Sequence, residues 1–218
     1  MKYNTCVSIA EKNPKKLQKI LDKALKKSDY AEIRFDFLKP ADIPTTLELV
    51  KKKLSKCVCT LRPKNEGGKF TGSEKERKSI IRLIIEYNPF LMDVEYNAIS
   101  KDSKFRKALK ISKTQILVSW HDFKKTPNLS VLNKKFKAMK KISKNVKIVT
   151  MANSTNDAAR ILTLYNNTSV RLIAFSMGKN AKFTRILCLY LGSPFTYVSL
   201  GKAIAAGQFS LDEIKSLN

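Results

Sequence analysis

One lysine of this 218-residue chain stands where lysines are rarely found. Lys147 lies inside Val146-Lys147-Ile148-Val149-Thr150-Met151, a β-branched apolar run that reads as a buried strand from which an ammonium cannot easily reach water. Burial strips the charged form of its hydration, and nearby arginines repel it. A neutral, nucleophilic amine is therefore favoured, and its natural chemistry is Schiff-base formation with a carbonyl. The competing reading is a lysine at a strand's start, snorkelling out of the sheet. The only histidine, His121, closes another apolar run, Gln115 to His121, and is followed by Asp122-Phe123. One strand–helix unit separates the two residues, so they belong on neighbouring strands with axes about 5 Å apart. An acid–base group beside an imine-forming amine is the minimum equipment for elimination next to a carbonyl.

Other ionisable residues also interrupt apolar runs. Glu32, Arg34 and Asp36 alternate with Ile33, Phe35 and Phe37, which sends the charges to one face of a strand and the apolar set to the other. For Asp36, an ion-paired structural role is as good a reading as a functional one. Arg62 ends the next run with Val58 and Thr60 in phase, and beyond it the loop Pro63 to Gly68 carries Glu66 just before a Gly-Gly pair. Asp93 and Glu95 repeat the alternation, and pairing with interior arginines explains them at least as well as substrate contact does. Ser176-Met177-Gly178-Lys179 closes a later run. Arg185 follows, suited to gripping a carboxylate through two parallel hydrogen bonds, with a phosphate cradle at the same loop as the rival. The small-residue loop Gly201 to Gln208 is suited to folding over a site as a lid that carries Gln208.

The elements that position these residues are short strands alternating with helices. Apolar runs span Thr5 to Ala10, Ala31 to Leu38, Lys56 to Arg62, Phe90 to Glu95, Gln115 to His121, Val146 to Met151, Arg171 to Met177 and Phe195 to Leu200. Between them, Ser73 with Glu76, Ser154 with Asp157 and Ser210 with Glu213 have capping-box spacing, and Pro127 is suited to a first helical turn. Eight strands with helical crossovers predict the α/β class and closure into a (β/α)8 TIM barrel, with residues 1–218 as a single domain. The charged faces then point to the interior, and Arg62 and His121 stand at the C-terminal, catalytic end. An open doubly wound sheet is the runner-up, without the Gly-x-Gly-x-x-Gly expected after its first strand.

Composition narrows the partners. Forty-three Lys and Arg against 18 Asp and Glu give a net charge of +25, which raises encounter rates with any anion, nucleic acid included. The lysines are strewn along helix faces without aromatic interleaving. That favours a solvated surface over a specific nucleic-acid site. The four cysteines, Cys6, Cys57, Cys59 and Cys188, all fall in apolar runs, as reduced core residues of a cytosolic protein do. From Met1 the chain enters its first strand with no leader, and no apolar run is long enough for a membrane span, so a cytoplasmic location is expected.

Taken together, Glu32-Ile33-Arg34 with Asp36, Thr60-Leu61-Arg62 with Glu66-Gly67-Gly68, Asp93-Val94-Glu95, Ser119-Trp120-His121-Asp122-Phe123, Val146-Lys147-Ile148, Ser176-Met177-Gly178-Lys179 with Arg185, and Ala206-Gly207-Gln208 form a recognisable series. In this order they resemble type I 3-dehydroquinate dehydratase of the shikimate pathway. The resemblance implies that Lys147 condenses with the ketone of 3-dehydroquinate, that His121 removes a proton and protonates the departing hydroxyl in a syn elimination, and that Glu66 orients His121. It implies that Arg185 and Gln208 bind the substrate carboxylate, that Glu32, Arg34 and Arg62 hold ring hydroxyls, and that Met177 and Tyr197 line an apolar wall. No cofactor, no metal and a homodimer are likewise implied. The chain departs from the family pattern at Ile204, where a serine is usual, at Ala206, often proline, and at Tyr197, more often phenylalanine. The rivals are another Schiff-base barrel, such as an aldolase acting on sugar phosphates, and a basic barrel that binds anions or nucleic acid without catalysis.

Overall fold

A computed structural model describes residues 3–166, 168–201 and 203–217. The start of the expected leaderless N-terminus (Met1, Lys2) and Lys202 of the expected lid lie outside the described residues. By their contacts the chain divides into two compact units, Val7–Ile116, and Met1–Cys6 with Leu117–Asn218.

The first unit holds most of strand β1 (Thr5–Ile9), then helix α1 (Pro14–Leu25), β2 (Tyr30–Arg34), α2 (Ile43–Val50), β3 (Cys57–Thr60), α3 (Glu74–Glu86), β4 (Leu91–Glu95), α4 (Tyr96–Ser100) and α5 (Ser103–Ile111). Helix α1 shows why the elements form. Asn13 caps it by accepting from the Lys16 N–H at 3.0 Å, Pro14 opens its first turn, and its buried residues Leu17, Leu21 and Ala24 share one stripe that packs on β2 and α2. Strands β2, β3 and β4 pair in parallel, with Glu32 beside Val58, Arg34 beside Thr60, and Thr60 beside Asp93. Register partners in a parallel ladder point the same way, so the charged residues share one face, while Ile33, Cys59 and Met92 share the other.

Two strands end two or more residues earlier than their sequences predict. The second was expected to run to Leu38 but stops at Arg34, and Phe35–Phe37 forms a 3-10 turn. Arg34 donates to both oxygens of Asp36 at 2.8 and 2.7 Å, and the Lys69 N–H donates to the same carboxylate at 3.0 Å, which turns Asp36 out of the alternating pattern. The third ends at Thr60, and Arg62 lies in the following loop.

The second unit contains β5 (Ile116–Asp122) from Leu117 onward, α6 (Leu129–Lys140), β6 (Asn145–Met151), α7 (Thr155–Leu162), β7 (Arg171–Met177), α8 (Thr184–Tyr190), β8 (Thr196–Ser199), β9 (Phe209–Ser210) and α9 (Leu211–Lys215). Strands β5, β6 and β7 pair in parallel, and so do β8 and the short β9, which no sequence signal announced. Ser154 caps α7, and Ser210 with Glu213 forms a full capping box on α9, as the spacing predicts. Pro127, expected in a first helical turn, instead precedes the cap of α6. Asn128 takes that position by accepting from the Val131 N–H at 3.0 Å. Buried hydroxyls tie the loop after β5 to the strands and the strands to each other: Thr126 to Thr150 of β6 at 2.8 Å, and Thr150 to Ser176 of β7 at 3.1 Å. All four cysteines are free and buried. Among the described residues, no helix is long and apolar enough to cross a membrane.

Candidate active site

The expected amine and imidazole are both in the second unit, on adjacent strands. Lys147 is the register partner of Ser119, and His121 of Val149, so the two side chains leave the same face two residues apart along the ladder. Strand spacing and rise then put their Cα atoms roughly 8 Å apart, within reach of a common ligand. The side chain of Lys147 does not snorkel. The residue is 6% exposed, and its Nζ lies 4.1 Å from the centre of the Tyr197 ring. The His121 imidazole is half-buried and stacks on Phe123, with centroids 5.8 Å apart and planes at 13°.

Arg185 supplies the positive charge of this group. It is 2% exposed at the start of α8, and its guanidinium carbon sits 4.2 Å above the centre of the Phe175 ring. Burial, with no acidic partner among the described residues, pulls its pKa down to about 10, the reverse of an arginine in a salt bridge. Nη2 donates to the Ala206 carbonyl at 3.2 Å, whereas Nε has no hydrogen-bond partner among the described residues. A buried cation with a donor to spare suits a planar anion such as a carboxylate. The loop ending in Gln208 is built around that side chain, whose Oε1 accepts from the N–H groups of Ile204 at 3.0 Å and Ala205 at 3.4 Å. Ile204 thus takes part in this loop through its backbone. Met177 closes β7 as the register partner of Met151, and both share the Lys147 face.

The remaining candidates lie in the first unit. Thr60 donates to Glu32 at 2.8 Å, and both are buried. Arg34 is committed to Asp36 and lies over the Phe37 ring at 5.2 Å. Burial opposes the Arg34 charge, but the Asp36 and Glu32 carboxylates outweigh it and raise its pKa. Arg62 donates to Asp93 at 2.7 Å and to Glu95 at 2.6 Å, so these acids take the structural pairing weighed for them. Burial again opposes the charge, and Asp93 and Glu95 more than compensate. Glu66 behaves oppositely. Burial first, then the Glu95 charge, raises its carboxyl to about 7, against the pull of Arg62. Its loop depends on two glycines. Gly67 has a φ of 76°, and a Cβ on Gly68 would come within 1.9 Å of the Arg62 carbonyl oxygen.

Three contributors escaped the sequence reading. Arg77 of α3 is 1% exposed and donates to Glu95 at 2.6 Å and to the Leu61 carbonyl at 3.1 Å. A signal existed, because Arg77 is in phase with buried Ile81, Ile84 and Ile85, at a position where the stripe calls for an apolar residue. Asn97 donates to Glu66 at 3.3 Å, and Phe175 carries Arg185. Neither choice of partner is written in local spacing. Among the described residues, no group of three or more His, Cys, Asp or Glu could hold a metal.

Alternating parallel strands and helices, with ionisable side chains buried at the strand ends, define an enzyme of the (β/α)8-barrel class. A solved 3-dehydroquinate dehydratase from Geobacillus kaustophilus superposes with a TM-score of 0.90 at 21% identity, covering 100% of this chain and 90% of that one. The enzyme of the same name from Aquifex aeolicus gives 0.81 at 27% identity, covering 98% and 96%. The expected barrel is therefore borne out. The sequence model of the type I 3-dehydroquinase family matches residues 5–217, and a 3-dehydroquinate dehydratase of Methanocaldococcus jannaschii is 34% identical over 215 residues, 97% of this chain and 96% of that protein. The chain belongs to the type I 3-dehydroquinase family, whose members are hydro-lyases.

Proposed function

We propose that this protein dehydrates 3-dehydroquinate to 3-dehydroshikimate through a Schiff base on Lys147. The observation that carries the proposal is a buried lysine on the strand next to the sole histidine, both facing one way, in a chain of this family. The Lys147 amine adds to the ketone, the carbonyl oxygen leaves as water, and the protonated imine draws electrons from the neighbouring carbon. His121 takes the proton from that carbon and gives one to the β-hydroxyl, which leaves as water. Hydrolysis of the imine then returns the lysine and releases product.

Arg185 binds the substrate carboxylate with its spare donor, and Gln208 joins it from the lid. Met177 and Tyr197 form the apolar wall. Glu32, Arg34 and Arg62 hold ring hydroxyls, and Glu66 orients the imidazole, as the family resemblance implies. The lysine itself is the electron sink, so the scheme calls for no metal or cofactor. The proposal takes residues 1–218 as one catalytic domain and a homodimer as the working form. It places the protein in the cytoplasm, where four free thiols stay reduced.

Borohydride added during turnover of 3-dehydroquinate is expected to leave a permanent adduct on the peptide containing Lys147, read by mass spectrometry. Lys147→Ala is expected to lose turnover and adduct together. His121→Ala is expected to retain the adduct while turnover falls by about 10²-fold or more, the usual worth of a positioned acid–base group. Turnover by the Lys147 variant would refute the covalent route.

A further inference from the structure

We propose that Tyr197 is a catalytic residue in its own right, and that the face of its ring is the surface on which the positive charge of the Lys147 imine rests. The inference depends on the covalent route proposed above and gives the ring a task beyond filling space.

The geometry is already that of a cation over an aromatic face. Nζ of Lys147 lies 4.1 Å from the Tyr197 centroid, inside the ~6 Å range over which the ring quadrupole attracts a cation. Tyr197 is 4% exposed and Lys147 6%, so little water screens the attraction. The ring is also held in place. It rises from β8, and Phe195 meets it edge-on at 5.4 Å with planes at 83°.

Other groups on the Lys147 face follow from the register. Strand β5 presents Ser119 and His121, β6 itself presents Val149 and Met151, and β7 presents Ile173, Phe175 and Met177. None of these is a carboxylate, and Arg185 over Phe175 adds further positive charge. The Tyr197 ring face is an electron-rich feature at Nζ.

The reaction needs such a feature. When the amine has added and the carbonyl oxygen has left as water, the nitrogen keeps one proton and the C=N unit carries a full positive charge. That charged imine, and not its neutral form, withdraws electrons from the adjacent C–H bond. A ring face that favours the charged form over the neutral one enlarges the reactive fraction while His121 removes the proton.

Fluorination tests this, because it weakens the quadrupole with almost no change of shape. Tyr197→Phe serves as the reference, and 4-fluoro-, 3,5-difluoro- and 3,4,5-trifluorophenylalanine replace it in turn in the full-length protein. Circular dichroism verifies the fold of each variant. The expected result is a stepwise fall in kcat, reaching about tenfold for the trifluoro ring, with the borohydride-trapped Lys147 adduct falling in the same order. A kcat independent of fluorination overturns the inference, as does a folded Tyr197→Leu variant that matches Tyr197→Phe. If the unsubstituted protein yields no trapped adduct, the covalent route itself has failed, a result distinct from a flat fluorination series.

Discussion

Glu66 and Arg185 are perturbed in opposite senses by the same cause, burial. For Glu66 the unfolded chain has an ordinary carboxyl near 4.5 and the folded chain one near 7. Between those values the native state binds the extra proton, so this residue's contribution to stability falls as pH rises from about 4.5 to about 7 and stays low above that. Glu66→Gln removes the ionisation. It is expected to gain roughly 2 kcal/mol on the native protein in going from pH 4.5 to pH 8, measured by urea denaturation at both values. An unchanged gap between the two proteins would show that the carboxyl is not held high. In the sequence, Glu66 was visible as a candidate because of the Gly-Gly pair after it. Its raised carboxyl was not visible, since that depends first on burial and then on Glu95 and Asp93, which only folding brings close.

Helix α3 is locked to its neighbouring strands by charge as well as by apolar packing. Glu95 accepts from Arg62 through one oxygen and from Arg77 through the other, and Glu74 binds the far side of the Arg77 guanidinium at 2.8 and 2.9 Å. Removing one member of such a buried set strands the others without compensation. Arg77→Met, similar in reach and helix propensity, is therefore expected to lower unfolding free energy by about 3 kcal/mol in urea. A loss below about 1 kcal/mol would mark the network as dispensable to stability. Elements at this scale were largely legible, because strand and helix periods differ and caps such as Ser154 and Ser210 announce themselves. The errors came where side chains overrode the local pattern. Asp36 turned back to Arg34 and ended β2 early, and Asn128 displaced Pro127 from the helix start.

Across the whole molecule, the charge of +25 is a field as well as a composition. An anionic substrate is concentrated by that field, and added salt screens it, with a Debye length of about 8 Å at physiological ionic strength. For turnover of 3-dehydroquinate, kcat/KM is expected to fall about three- to tenfold between roughly 20 and 300 mM salt, while kcat changes less than twofold. A salt-independent kcat/KM would mean that the lysines play no part in capture. The barrel was legible at this scale because strand–helix alternation recurs along the whole chain, and Lys147 and His121 stood out because each breaks an apolar run. The thiols have a practical corollary. Burial pushes Cys57 and Cys188 up to about 12 and Cys59 well above the usual thiol range, and Cys6 has no exposed surface at all. Electrophiles such as maleimides require a thiolate they can reach. The native chain is thus its own unreactive background for single-site labelling, and any uptake of label by its four cysteines is a clock for unfolding.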